Sequence, residues 1–373
     1  MDAAHTPSVA ILHDNFPTIG GAERVVIEAA RILDAPIYTA YISPDIRIPS
    51  DVPIYPVNQS KYTSGVLSRI VDSPGAVADQ MRMWSLMLDL SDIPELNDYD
   101  VILESNHAAK HYTPSENQRV LNYVHTLPQY YYNLYHYTLE QFDYPVISSL
   151  LKLYIKTCRL MDKEANDYVD KFIANSEVTK NRLDTYYDRS SEIVYPPIIG
   201  DWRNEGDDGY YVTWSRLSKK KRIVMIARAF ESLDERLVIA GDGPEKDRLR
   251  SIARGHENIE IRGYVDDIES LVANATAVIY APVQEPFGMV GAEALRAGKP
   301  IIGVSEGFLQ HHITPKTGRT FDPDTQSLVE AVRSFDPAEF DTEEIQAHGE
   351  RFDRKHFEDS LLSVIERSSW NND

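Results

Sequence analysis

The stretch "ATAVIYAPVQEPFGMVGAEALRAGKP", Ala275 to Pro300, decides the fold. Its opening, "ATAVIYAP", is a short apolar run closed by proline, the pattern of a strand buried on both faces of a parallel sheet. From Met289 the sequence is rich in helix formers and stops at Gly298, a residue suited to the turn that ends a helix, with Pro300 behind it. Strand, loop and helix in that order make one repeat of a doubly wound α/β unit. Two carboxylates sit in it: Glu285 on the loop at the carboxyl end of the strand, and Glu293 about one turn into the helix. That edge of an open α/β sheet is where ligands bind.

Outward from this stretch the same alternation recurs in two sets. The first starts with "SVAILHD" (Ser8 to Asp14), the loop "NFPTIGG" and a helix "AERVVIEAARIL" (Ala22 to Leu33), followed by strands "DVILES", "RVLNYVH" and "KFIANS". The second starts with "YYVTWSRL" (Tyr210 to Leu217) and continues through "RLVIAGDGP" and "NIEIRGYV", each followed by a helical pattern, to the opening stretch. Between them "YPPIIGDWRNEGDDG" (Tyr195 to Gly209), rich in proline, glycine and charge, reads as the linker. A last helical segment, Thr342 to Ser369, follows the second set.

A chain of 373 residues with 42% hydrophobic residues can build two packed domains. The single cysteine, Cys158, excludes an internal disulfide framework and a thiolate metal cluster. With no signal peptide and no bilayer-length apolar run, a cytoplasmic location is expected, at most at the inner face of the membrane. A formal charge of −20 argues against nucleic acid as a partner. The acidity is spread along the chain, with arginine favoured over lysine, which suits a salt-rich, halophilic cytoplasm.

Two helix starts beside glycines offer aligned N–H groups to a phosphate: "TIGGAER", with Gly20 and Gly21, and "PFGMVGAE", with Gly288, Met289 and Val290. The first lacks the G-x-G-x-x-G spacing of a dinucleotide fingerprint, which argues against a nicotinamide dehydrogenase. Positive charge comes from "WSRLSKKKR", where Arg216 leaves a strand and Lys221 opens the next helix. Both suit neutralisation of a diphosphate leaving group.

In order and separation, "TWSRLSKKKR", "LVIAGDGPEKDRL", "NIEIRGYV" and "EPFGMVGAEALRAGKPIIG" resemble the carboxyl-terminal domain of the family 4 retaining glycosyltransferases. "GGAERVV", "NYVHTLPQYYY", in which the His-Thr stretch is like that of a mannosyltransferase-like subgroup, and "FIANSEVTKNRLDTYY" with "VYPP" extend the resemblance over nearly the whole chain. It implies the GT-B fold, two doubly wound Rossmann-like domains facing across a cleft. Residues 1–196 are then the acceptor-side domain, 197–209 the linker and 210–349 the nucleotide-sugar domain, with 350–373 a helix crossing back to the first domain.

The resemblance also implies roles. Glu285 approaches the donor sugar's hydroxyls and Glu293 accepts from the ribose, as a carboxylate can from two neighbouring hydroxyls. The N–H groups of Phe287, Gly288, Met289 and Val290 face sugar or diphosphate, Gly241 and Asp242 close over the donor, and Gly263, Tyr264 and Val265 bracket the nucleobase. His125 lies against the sugar. Arg216 and Lys221 stabilise the leaving diphosphate, which itself takes the acceptor's proton, so no enzymic nucleophile is needed. The expected partners are a nucleotide-sugar donor and a glycan or lipid-linked acceptor, with peripheral membrane association in the second case. No cofactor and no metal are expected. The triplets Asp98-Tyr99-Asp100 and Asp322-Pro323-Asp324 are ascribed to the abundance of aspartate. The alternative is a nucleotide-sugar epimerase, or an inactive nucleotide-sugar-binding protein, on the same fold. The tyrosine-rich "QYYYNLYHY" (Gln129 to Tyr137) is read either as lining the acceptor side or as packing at an interdomain surface.

Overall fold

The computed structural model describes residues 7–57, 76–139 and 145–369. The chain divides into two compact units, Met1–Val194 with Glu358–Asp373, and Tyr195–Phe357. Each is built on one parallel sheet.

The first sheet has seven strands: β1 (Val9–His13), β2 (Ile37–Thr39), β3 (Ile54–Pro56), β4 (Val101–Ser105), β5 (Arg119–Val124), β6 (Lys171–Ala174) and β7 (Ser191–Ile193). Their order is β3-β2-β1-β4-β5-β6-β7. The order reverses between β1 and β4, which pair from Val9 with Val101 to His13 with Ser105. Strands β2, β3 and β7 have three residues each, too short for a periodic signal, and no motif points to them. The first helix, Gly21–Leu33, buries Val25, Val26, Ile27, Ala29 and Ala30. Glu23 reaches back from its first turn to accept the N–H of Gly20 at 2.9 Å.

Part of the tyrosine-rich stretch belongs to this unit's own core, while Tyr137 is exposed. Tyr131 and Tyr132 are buried with Leu127 and Phe172. The Tyr132 hydroxyl donates to Asp162, a carboxylate that also holds the buried Lys110 at 2.7 Å.

The second sheet has six strands: β8 (Tyr210–Trp214), β9 (Arg236–Ala240), β10 (Ile259–Gly263), β11 (Ala277–Tyr280), β12 (Ile301–Val304) and β13 (Gly318–Phe321). Their order, β10-β9-β8-β11-β12-β13, reverses between β8 and β11. β8, β11 and β12 are buried at every position, the reason they read as unbroken apolar runs. The proline- and glycine-rich stretch after Val194 packs onto this unit. Trp202 stacks on Trp214 at 6.1 Å, the Glu205 N–H bonds the Ala273 carbonyl, and buried Lys299 donates to Asn204 Oδ1 and the Gly206 carbonyl.

The final helical segment is broken, where the sequence pattern predicts one run. Helix Thr342–Gly349 ends in a short 3-10 turn, Glu350–Phe352, and a new helix runs from Arg354 to Ser369. Asp353 between them is extended, because Phe352 turns inward and is almost wholly buried. One aspartate of each Asp-x-Asp triplet has a local role: Asp100 accepts the Ser8 N–H, and Asp324 caps helix Thr325–Arg333 through the Ser327 N–H. Among the described residues no group of three metal-ligating side chains occurs, and no helix is long and apolar enough to cross a membrane.

Candidate functional site

At the β8/β11 reversal the loops that follow the two strands bring Lys221 and Glu285 together. The Lys221 ammonium donates to Glu285 Oε2 and to the Tyr280 hydroxyl, each at 2.8 Å. Burial pushes the Lys221 pKa down, but Tyr280 and Glu285 outweigh it and raise it above the ordinary value. The lysine is therefore charged at neutral pH. Next to it Arg222, in the left-handed region at φ 50°, grips both oxygens of Glu306 at 3.1 and 3.0 Å. Gln284, also left-handed at φ 48°, aims its N–H at the same carboxylate. A non-glycine residue in that region stores backbone strain, as binding loops often do.

Glu285 is held from behind by its main chain, whose carbonyl accepts the Phe308 N–H at 2.9 Å. Gly307 at φ 62° makes this approach possible, since a Cβ there would lie 2.4 Å from the Glu285 carbonyl oxygen.

Glu293 sits on helix Met289–Arg296, buried at 5% exposure, and its Oε2 accepts the Trp214 indole N–H at 3.1 Å. The helix starts at Gly288 in the left-handed region, φ 81°, so the N–H groups of Met289 and Val290 open its first turn with no intrahelical acceptor. The Phe287 side chain faces the other way. It lies with Phe308, His312 and Phe352 in an aromatic cluster, and its carbonyl is 2.8 Å from His312 Nε2. With the side chain and carbonyl so engaged, the expected donor role falls to the Phe287 N–H.

The loops after β8, β9 and β10 also meet. Leu217 donates to the Asp242 carbonyl, and Gly241 donates to the Gly263 carbonyl. A Cβ on Gly241 would stand 1.9 Å from the Ser215 carbonyl oxygen, so this contact admits only glycine. Arg216 is exposed, and its guanidinium has no hydrogen bond or ion pair among the described residues. The Asp242 carboxylate is occupied by Lys246 and by the Gly243 N–H. Tyr264, 76% exposed, and Val265 follow Gly263 on the same loop.

The remaining expected residues lie in the first unit. Gly20 spends its N–H on the Glu23 carboxylate, which occupies a donor the motif offers to phosphate, and Gly21 starts the helix. His125 follows β5, half-buried, with Nε2 at 2.9 Å from the Ser105 hydroxyl.

Tyr280, Arg222, Glu306, Trp214 and His312 complete the second unit's cluster, and no motif singles them out. Arg222 closes the basic run and Glu306 precedes a glycine, signals readable once the loops are known to touch. Tyr280 and Trp214 read as apolar strand residues.

Residues 196–339 match the family described as Glycosyl transferases group 1. The mouse alpha-1,3/1,6-mannosyltransferase is 24% identical over 89% of this chain and 88% of its own. A Mycobacterium tuberculosis GDP-mannose-dependent alpha-(1-6)-phosphatidylinositol dimannoside mannosyltransferase is 32% identical over 27% of each chain. The solved structure of HepE from Anabaena, in complex with UDP and glucose, superposes with a TM-score of 0.67 at 15% identity, covering 96% of this chain and 100% of that one. The fold is GT-B, and residues 196–339, the greater part of the second unit, carry the likeness to Glycosyl transferases group 1.

Proposed function

We propose that the protein is a retaining hexosyltransferase that moves a sugar from a nucleotide-sugar donor to a glycan or lipid-linked acceptor. The observation that carries this is the cluster at the second sheet's reversal point: a charged Lys221 beside Glu285, with Glu293 and an open helix start on the next element. In doubly wound sheets that place takes nucleotides. Lys221 has three N–H donors, two of them directed at Tyr280 and Glu285, which leaves one for a diphosphate oxygen. Arg216, exposed and unpaired among the described residues, suits the same leaving group. In this reading charge on the leaving diphosphate is met by these side chains and the helix start, without a metal or other cofactor. Glu285 orients the sugar, and the donor phosphate takes the acceptor's proton.

Mannose is the first sugar to test, because both curated relatives named above are mannosyltransferases. A lipid-linked acceptor is supported by exposed apolar side chains on two helices of the first unit. Trp84 of Ala76–Leu90 stacks on Tyr154 of Pro145–Glu164, and each helix leaves leucines in solvent, Leu88 (75% exposed) on one and Leu153 (63%) and Leu160 on the other, which also carries the exposed Lys152 and Lys156. Such a surface suits peripheral contact with the inner face of a membrane.

The test is a panel of GDP-, UDP- and ADP-sugars, read as slow release of nucleoside diphosphate without acceptor. One donor is expected to stand out. For that donor, Glu293→Gln should weaken nucleoside diphosphate binding in calorimetry by about 1.5–3 kcal/mol, the worth of a hydrogen bond to a charged group. Trp214→Phe, which removes the indole N–H held by Glu293 and trims the stack on Trp202 but keeps the carboxylate, should cost less. Unchanged affinity in Glu293→Gln removes the ribose role, and epimerised donor in place of free diphosphate favours the alternative reading.

A further inference from the structure

Three strand ends of the first sheet meet at the Ser105 hydroxyl. Its Oγ lies 3.1 Å from His13 Nδ1 and 2.9 Å from His125 Nε2. His13 ends β1, Ser105 ends β4 in register with it, and His125 follows β5, so the three stand at the point where this sheet's strand order reverses. His13 and Ser105 are buried. On the far side of the His13 ring, Nε2 has no hydrogen-bond partner and faces Glu23 Oε1 at 3.8 Å. The other oxygen of Glu23 is held by the Gly20 N–H at 2.9 Å.

This chain has a polarity. Burial opposes the charge on Glu23, but His13 and the N–H groups of Glu23 and Gly20 outweigh it and hold its pKa below the ordinary value. A fixed carboxylate facing Nε2 in low-dielectric surroundings favours a proton on that nitrogen. In a ring that carries one proton, Nδ1 of His13 is then the acceptor. The Ser105 hydroxyl, with one proton to give, donates to it and must accept from His125 Nε2–H. His125 is pushed down to about 3 by burial and is neutral at neutral pH, so its Nδ1 keeps a lone pair. Asp14, the nearby acid that could compete, is occupied by the N–H groups of His107 at 3.1 Å and Ala109 at 2.7 Å.

We propose that Glu23, His13 and Ser105 are positioning residues that set His125 as the Nε2–H tautomer, with Nδ1 presented as a hydrogen-bond acceptor to a sugar hydroxyl. The identity of that hydroxyl rests on the glycosyltransferase reading; the tautomer does not.

The experiment uses the full chain with 15N-labelled histidine, the His125 ring signals being assigned by their loss in His125→Gln. Wild type is expected to show the Nε2–H tautomer. In Glu23→Gln the side-chain carbonyl can take the Gly20 N–H while the amide NH2 turns to His13, which reverses every bond in the relay and moves the His125 proton to Nδ1. Ser105→Ala breaks the relay, so both tautomers appear and adding Glu23→Gln changes nothing further. With the donor found above, Glu23→Gln should lower kcat at least about tenfold, well short of the roughly 10⁴ that a wrong histidine tautomer costs a serine-protease triad. Nucleoside diphosphate affinity should stay within about twofold, because the change acts beyond binding. An Nδ1–H tautomer in wild type, or an unchanged tautomer in a folded Glu23→Gln chain, overturns the relay. Should that variant not fold, a single wild-type tautomer in Ser105→Ala does the same. A tautomer that switches in a protein that turns over no nucleotide-sugar leaves the relay standing and refutes the transferase reading.

Discussion

Lys221 and Arg222 are neighbours with opposite circumstances. Arg222 is committed to the loop, with a two-point grip on Glu306 and Nη1 also directed at the Ala281 and Pro282 carbonyls, so its charge is already neutralised by a carboxylate. Lys221 is a point charge on a flexible stem, shared between a phenol and a carboxylate that lie on the strand and loop where a donor is expected. On the proposed reading, replacing it removes charge that would matter most as a diphosphate departs. Lys221→Met should lower turnover by about 10²-fold or more, the usual loss of one preorganised electrostatic donor, and diphosphate affinity by much less. Steady-state kinetics beside calorimetry separate the two; intact turnover with weakened binding would assign Lys221 to ground-state binding alone.

At the scale of elements, the Glu285 loop is held by a buried histidine. The His312 Nε2–H donates to the Phe287 carbonyl at 2.8 Å, and the ring packs edge-on against Phe287, Phe308 and Phe352. Burial lowers its pKa to about 3, against about 6.5 for a free histidine. Across that window the unfolded chain takes a proton that the folded one refuses. The stability His312 contributes is therefore fully present above about pH 6.5 and is lost as pH falls toward 3. Urea unfolding of the wild type is expected to show a decline between about pH 7 and about pH 5. His312→Gln, which keeps an N–H for the Phe287 carbonyl, should flatten that slope by on the order of 1 kcal/mol per pH unit. Equal slopes in the two proteins would show that this histidine is not the group titrating.

At the scale of the whole molecule, the chain ends by rejoining its first unit. Leu361, Val364 and Ile365 are buried, and Arg367 pairs with Glu192 of β7, whereas Phe352 and Phe357 are buried and lie within the second unit's span. A stop after Phe357 therefore separates the two jobs of the last helix, and a stop after Gly349 does not. Removing residues 358–373 should destabilise the first unit by roughly 1.5–3 kcal/mol for each of the three buried side chains lost. The second sheet should keep its protection in hydrogen exchange. Uniform loss of protection across both sheets would mean that the units do not unfold separately.

Much of this architecture is legible in the sequence. Ala277–Tyr280 and Ile301–Val304 are buried on both faces, so they are apolar without interruption, and the helix after Glu285 is bracketed by glycines whose φ values are positive. Glu285, Glu293, Arg216 and Lys221 could be placed near strand ends because strand and helix alternate along the chain itself. The partners of those residues could not be read in the same way. Lys221 meets Glu285 across 64 positions, Trp214 meets Glu293 across 79, and His13 meets Ser105 across 92. Such pairs exist because β8 lies against β11 and β1 against β4, and the order of strands in a sheet is settled by how whole layers pack, which no local period records. The kinked end follows the same logic. Thr342 to Ser369 reads as one helical segment, and it breaks after Gly349 in a short turn that ends at the extended Asp353, with Phe352 buried inside it.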